Sequence, residues 1–223
     1  NWLLKATIYE QFCGGVSISE CSGTIKRMKK KNVFSILDYS IESLENEKDF
    51  DNAFEKKLTI IKLSKENNMP FSVFKPTSLG SYKLFKKKSS KGILNDKEKS
   101  NWLNIEKRFD RIFQYAKKSR VKILVDAEEY EVQNAIDELV LKMMKKYNTG
   151  KEAYIFNTVQ LYRCDRINYL KKLIKDRGDF RLGFKLVRGA YMEKERQLAT
   201  KNDYRSPICK SKEDTDNNFN KAL

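Results

Sequence analysis

Several apolar runs in this chain end on a charged or amide side chain, and those ends are where chemistry can sit. Asp126 closes ILV and is followed by Glu128 and Glu129 (ILVDAEEY). A partly buried carboxylate at a strand end works as an electrostatic anchor or base. The alternative is a helix start, with Asp at the N-cap and Glu in the first turn. Position favours the functional reading for Asp126 and the helix-start reading for the two glutamates. Lys75 follows FSVF and precedes Pro76, Thr77 and Ser78, offering a cation for a carboxylate or phosphate. A solvated lysine before a turn accounts for it equally well. Gln160 in FNTVQLY both donates and accepts, which suits a planar heterocycle, although a polar helix start is the plainer reading. In GFKLVRGAY, Lys185 and Val187 share one strand face while Leu186 and Arg188 share the other. A lysine turned inward needs an anionic or electron-rich partner. Gly189 lets a ligand approach the backbone, and Tyr191 follows it closely.

Other chemistries are excluded. The chain has no histidine, so neither a Ser-His-Asp nor a Cys-His mechanism can be assembled. Cys13, Cys21, Cys164 and Cys209 form no CxxC pair, so no metal site is expected and a reducing compartment fits best.

These residues need elements to position them. Apolar runs at Val33–Leu37, Phe71–Phe74, Val121–Val125, Ala153–Phe156 and Leu182–Val187 read as five strands. Between them, helical spacing links Phe50, Phe54, Leu58 and Ile61. It also links Trp102, Ile105, Phe109, Ile112, Phe113 and Ala116, behind a polar insertion from Leu79 to Ser100. Two more sets follow, Val132, Ile136, Leu139, Val140 and Met143, then Ile167, Leu170, Leu173 and Ile174. A helix is expected from Glu213 to the end. Alternating strands and helices favour a parallel sheet. Asp38, Lys75, Asp126, Gln160 and Arg188 fall at successive strand ends, as in a (β/α)8 barrel, and no glycine-rich phosphate motif supports a doubly wound sheet. The fold expected is therefore an α/β TIM-like barrel, incomplete in this chain, with about five βα units.

The composition is compatible with one domain. Of 223 residues, 40% are hydrophobic and 34% charged. Lys and Arg number 46 against 30 Asp and Glu, giving a net charge of +16. That balance admits a basic nucleic-acid-binding domain, but the lysine runs lack the interleaved aromatics of a single-strand groove, and an AT-rich genome explains the excess more simply. The opening segment lacks the features of a signal peptide. The start at Asn1 rather than Met suggests a domain over residues 1–223 truncated at both ends.

Eight stretches in this order resemble the proline dehydrogenase family: FCGG (Phe12–Gly15), LDYSIE (Leu37–Glu42), VFKPTS (Val73–Ser78), ILVDAEE (Ile123–Glu129), MMKKYN (Met143–Asn148), IFNTVQLYRCDR (Ile155–Arg166), GFKLVRGAYMEKER (Gly183–Arg196) and SPICKSKEDTD (Ser206–Asp216). The resemblance implies a distorted (β/α)8 barrel that holds FAD noncovalently, oxidises L-proline to Δ1-pyrroline-5-carboxylate and passes electrons to membrane quinone. It implies Asp126 and Lys185 as catalytic, Lys75 and Tyr191 beside the substrate, and Ala127, Gln160, Lys185, Val187, Arg188 and Gly189 around the flavin. Many members have Arg where this chain has Lys185. The resemblance further implies peripheral membrane contact and no nucleic-acid partner, in the bacterial cytoplasm or, alternatively, at the mitochondrial inner membrane. The family's flavin-contacting Thr-His and carboxylate-binding Arg-Arg have no counterpart in this sequence, which leaves a non-catalytic remnant of the fold as the competing expectation.

Overall fold

A computed structural model describes residue 15, residues 18–38 and residues 44–223. Its elements run α1 (Ile18–Lys30), α2 (Glu47–Glu66), β1 (Phe71–Phe74), a 3-10 turn (Pro76–Leu79), α3 (Tyr82–Ser89), α4 (Asp96–Ser119), β2 (Lys122–Val125), α5 (Tyr130–Tyr147), β3 (Ile155–Gln160), α6 (Arg166–Lys175), β4 (Phe184–Val187), α7 (Met192–Lys201) and α8 (Lys212–Ala222). All strand pairs are parallel, in the order β1-β2-β3-β4. Sequential order with helices between strands is the arrangement of a (β/α) barrel, whereas a doubly wound sheet reverses its order at a switch point.

The helices form where local signals and apolar spacing agree. Asn95 caps α4 by accepting from the Glu98 N–H, while the Glu98 carboxylate accepts from the Asn95 N–H, so two orphan amides are satisfied together. From there Ile105, Phe109, Ile112, Phe113 and Ala116 turn to the sheet and are fully buried. Phe74 meets Phe109 edge-on, with ring centres 5.3 Å apart. On the facing side, Ile123 and Val125 of β2 pack into the same core as Val132, Ile136 and Val140 of α5. Gly183 lies so close to β3 that a Cβ would stand 2.4 Å from the Ile155 carbonyl oxygen, so only glycine admits this strand approach.

The structure corrects parts of the expected pattern. Val33–Leu37 pairs with no strand among the described residues, and Val33, Phe34 and Ile36 are 45%, 52% and 43% exposed. An apolar run becomes a strand only when a neighbouring backbone offers a ladder, and four strands are therefore found among the described residues where five were expected. The fourth predicted strand begins two residues later and extends to Gln160. The polar stretch from Leu79 to Ser100 holds the end of the 3-10 turn, helix α3 and the start of α4. Helices α1 and α7 were not expected. Residues 12–14 and 39–42 of the matching stretches lie outside the described residues.

Candidate active site at the strand ends

Parallel register decides which side chains converge. Thr158 pairs with Lys185 and Gln160 with Val187, so these four share one face of the sheet. Phe74 pairs with Val125 and Leu124 with Phe156, which sets Lys75 and Asp126, one residue on, on that same face. At its C-terminal edge lies a cavity of about 480 Å³ lined by Lys75, Asp126, Ala127, Thr158, Gln160, Lys185, Val187, Arg188, Gly189, Ala190 and Tyr191. All nine residues that the resemblance implies for the site line it, whereas Asp38, expected at a further strand end, does not. Thr158 and Ala190 were not anticipated, though the alternation in FNTVQ sets Thr158 on the face of Gln160.

The Lys185 ammonium forms an ion pair with Asp126 Oδ1. Its side chain is 31% exposed and that of Asp126 24%, so an inward lysine has the anionic partner that burial demands. Gln160 is buried: its Nε2 donates to the Glu128 carbonyl at 2.7 Å, and its Oε1 has no partner among the described residues. A buried acceptor left over at a cavity wall suits an N–H of a bound heterocycle. Thr158 Oγ1 donates to the Val125 carbonyl at 2.7 Å, tying β3 to β2 just below Asp126.

Gly189 has a φ of +134°, and a Cβ there would stand 2.5 Å from the Tyr162 ring. The glycine thus serves close packing on Tyr162 as well as backbone access. Arg188 lines the cavity but turns its guanidinium outward, pairing with Asp216 at 2.5 Å and stacking 4.5 Å from the Phe219 ring centre. Tyr191 is half-buried, and burial raises its hydroxyl above the ordinary value, opposed by nearby Lys75.

Glu128 is not the solvated helix-start residue that its spacing suggested. It is buried, and its two carboxylate oxygens accept from the Thr77 N–H at 2.8 Å and the Thr77 hydroxyl at 2.7 Å. That clamp fixes the turn following Lys75. Burial holds the Glu128 carboxyl above the usual carboxylate range. Glu129 is the N-cap residue of α5 and pairs with Lys194 at 2.5 Å.

Lys57, which no local pattern marks, lies behind the site. It is buried on α2, donates to the Val73 carbonyl and feels the charges of Asp38 and Asp126. Burial lowers its ammonium from 10.5 to about 8. Below pH 8 both folded and unfolded states hold this proton, so the cost of burying the cation is fully present. Between 8 and 10.5 only the unfolded state holds it, so stability rises with pH through that window. A difference of this size corresponds to about 3 kcal/mol. Urea unfolding of the wild type and Lys57→Met across the window should show this rise in the wild type only. Equal slopes would contradict the assignment.

The sequence profile described as "Proline dehydrogenase" matches residues 21–223. The chain is 34% identical to the carbapenem antibiotics biosynthesis protein CarD of Pectobacterium carotovorum subsp. carotovorum, over 95% of this chain and 56% of that protein. It is 28% identical to the mitochondrial proline dehydrogenase 1 of Dictyostelium discoideum, over 100% of this chain and 46% of that protein. The chain thus spans about half the length of these curated relatives. Its fold resembles the crystal structure of proline utilization A from Bdellovibrio bacteriovorus inactivated by N-propargylglycine, with a TM-score of 0.75 and 18% identity, over 90% of this chain and 22% of that one. With the profile covering most of its residues, this chain belongs to the proline dehydrogenase family.

Proposed function

We propose that the protein oxidises L-proline to Δ1-pyrroline-5-carboxylate, with FAD as the immediate electron acceptor and membrane quinone as the final one. The observation that carries this reading is the convergence of Lys75, Asp126, Gln160, Lys185 and Tyr191 on one cavity at the strand ends, in a chain of this family. FAD, when bound, supplies the acceptor for the hydride that leaves the proline carbon next to nitrogen. The residues fit such a group. Gln160 Oε1, buried and without a partner among the described residues, would accept from a ring N–H. Lys185 would face the electron-rich part of the ring and stabilise negative charge there. Asp126 holds that ammonium in place, and the pair is assigned as the catalytic unit. Ala127, Val187, Arg188 and Gly189 would wall the cofactor, while Lys75 and Tyr191 would border the substrate. Transfer to quinone implies contact with a membrane surface, on the cytoplasmic side in a bacterium.

Full-length protein purified from cells should be yellow and should reduce an artificial dye when given L-proline. A colourless protein that stays inert after reconstitution with FAD would overturn the reading.

A further inference from the structure

Away from the strand-end cavity, two cysteines that are 45 positions apart in the sequence are brought together by a short antiparallel contact. The Cys164 N–H donates to the Pro207 carbonyl at 2.9 Å and the Cys209 N–H to the Tyr162 carbonyl at 2.7 Å, bracketing the bridge between Arg163 and Ile208. Each cysteine is one residue past the bridged pair, so both side chains leave on the face opposite Arg163 and Ile208. Cys164 stands close enough to Cys209 to raise its thiol further above the ordinary range. Asn218 fixes Cys209 from the other side, its Nδ2 lying 3.3 Å from Cys209 Sγ and 3.2 Å from the Leu161 carbonyl. One thiol is exposed and the other buried, and both border a cavity of about 460 Å³ open to solvent. An accessible thiol poised beside a second, sheltered one is the arrangement of an attacking and a resolving cysteine.

We propose that Cys164 and Cys209 form an oxidisable pair that closes to an intramolecular disulfide when a peroxide enters this cavity. The Cys164 sulfur attacks one peroxide oxygen, the O–O bond breaks, and a sulfenic acid and one water result. The Cys209 sulfur then attacks the Cys164 sulfur, the S–O bond breaks, and the hydroxyl leaves as a second water with the Cys209 proton. Two thiols are oxidised and one hydrogen peroxide is reduced to two waters. Burial raises the Cys209 thiol to about 11, which supports Cys164 as the first to react. The closed pair would staple the segment after β3 to the segment before α8, two residues from the Tyr162 ring on which Gly189 rests.

The test treats the full-length protein with hydrogen peroxide, denatures it, alkylates the remaining thiols and maps the peptides by mass. The expected result is a linked Cys164–Cys209 peptide lighter by two hydrogens, abolished by dithiothreitol, with a raised Tm for the oxidised protein. In Cys164→Ser, whose changed side chain is exposed, Cys209 should stay alkylatable after the same treatment. The proposal is overturned if Cys164 over-oxidises while Cys209 stays free. It is equally overturned if both thiols remain unmodified, or if the linkage runs to Cys13, Cys21 or a second molecule.

Discussion

Replacing Asp126 with alanine in the full-length protein is expected to lower kcat/KM for L-proline by roughly 100- to 1,000-fold, the scale at which a preorganised charged group acts in an active site. The reason lies in the company Asp126 keeps. Its carboxylate pairs with Lys185, and the buried Lys57 also feels its charge. Removal leaves two ammonium groups with less compensation, Lys185 in the cavity and Lys57 buried behind it, and Lys185 loses the contact that fixes its position. Asp126→Asn keeps the shape and removes the charge, so it separates packing from electrostatics. If charge is what matters, Asn should be nearly as damaging as Ala, while flavin content changes less than turnover. Wild-type kcat/KM in either variant would remove Asp126 from the catalytic unit.

The largest effect on stability is expected from Asp137→Ala, at about 3–5 kcal/mol, the usual cost of removing one partner from a buried ion pair. Asp137 and Arg166 are both buried, and Arg166 Nη1 stands 2.6 Å from Asp137 Oδ2. The other carboxylate oxygen accepts from Gln133 Nε2 at 2.8 Å and Asn157 Nδ2 at 2.9 Å. Alanine would therefore leave donors from three elements without this acceptor, each buried. The damage should reach the site as well, because Gln133 Oε1 accepts from the Glu128 N–H at 2.7 Å and so helps hold the loop bearing Asp126. Denaturant unfolding measures the loss directly. By contrast, Lys146→Ala removes an exposed, solvent-screened partner of Asp110 and should cost far less. A loss for Asp137→Ala no larger than that of Lys146→Ala would contradict the account.

The parts of the fold legible in sequence were those written in local period. The stripes along α4 and α5 and the polar residues closing successive apolar runs located the helices, three strands closely and the edge where the cavity lies. Lys185 is instructive: its alternation with Val187 gave the face, and the cost of burying a lone cation demanded a partner, but only the registers of β2 on β3 and of β3 on β4 could identify Asp126 as that partner. What escaped was set by contacts distant in sequence. Glu128 reads as a helix-start carboxylate until Thr77, 51 residues away, is brought to it. Lys57 looks like any helical lysine until α2 packs it against β1. Cys164 and Cys209 show no motif because their proximity comes from a bridge between loops. Val33–Leu37 failed the other way, since its composition suits a strand but it pairs with no strand among the described residues.

The central claim is that the cavity at the ends of β1 to β4 is the flavin's seat. A crystal structure of the full-length protein with FAD bound tests it most directly. The account predicts the flavin ring in that cavity, with a ring N–H on Gln160 Oε1 and the Lys185 ammonium against the ring. A flavin bound elsewhere, with Gln160 Oε1 and Lys185 both out of its reach, would contradict it.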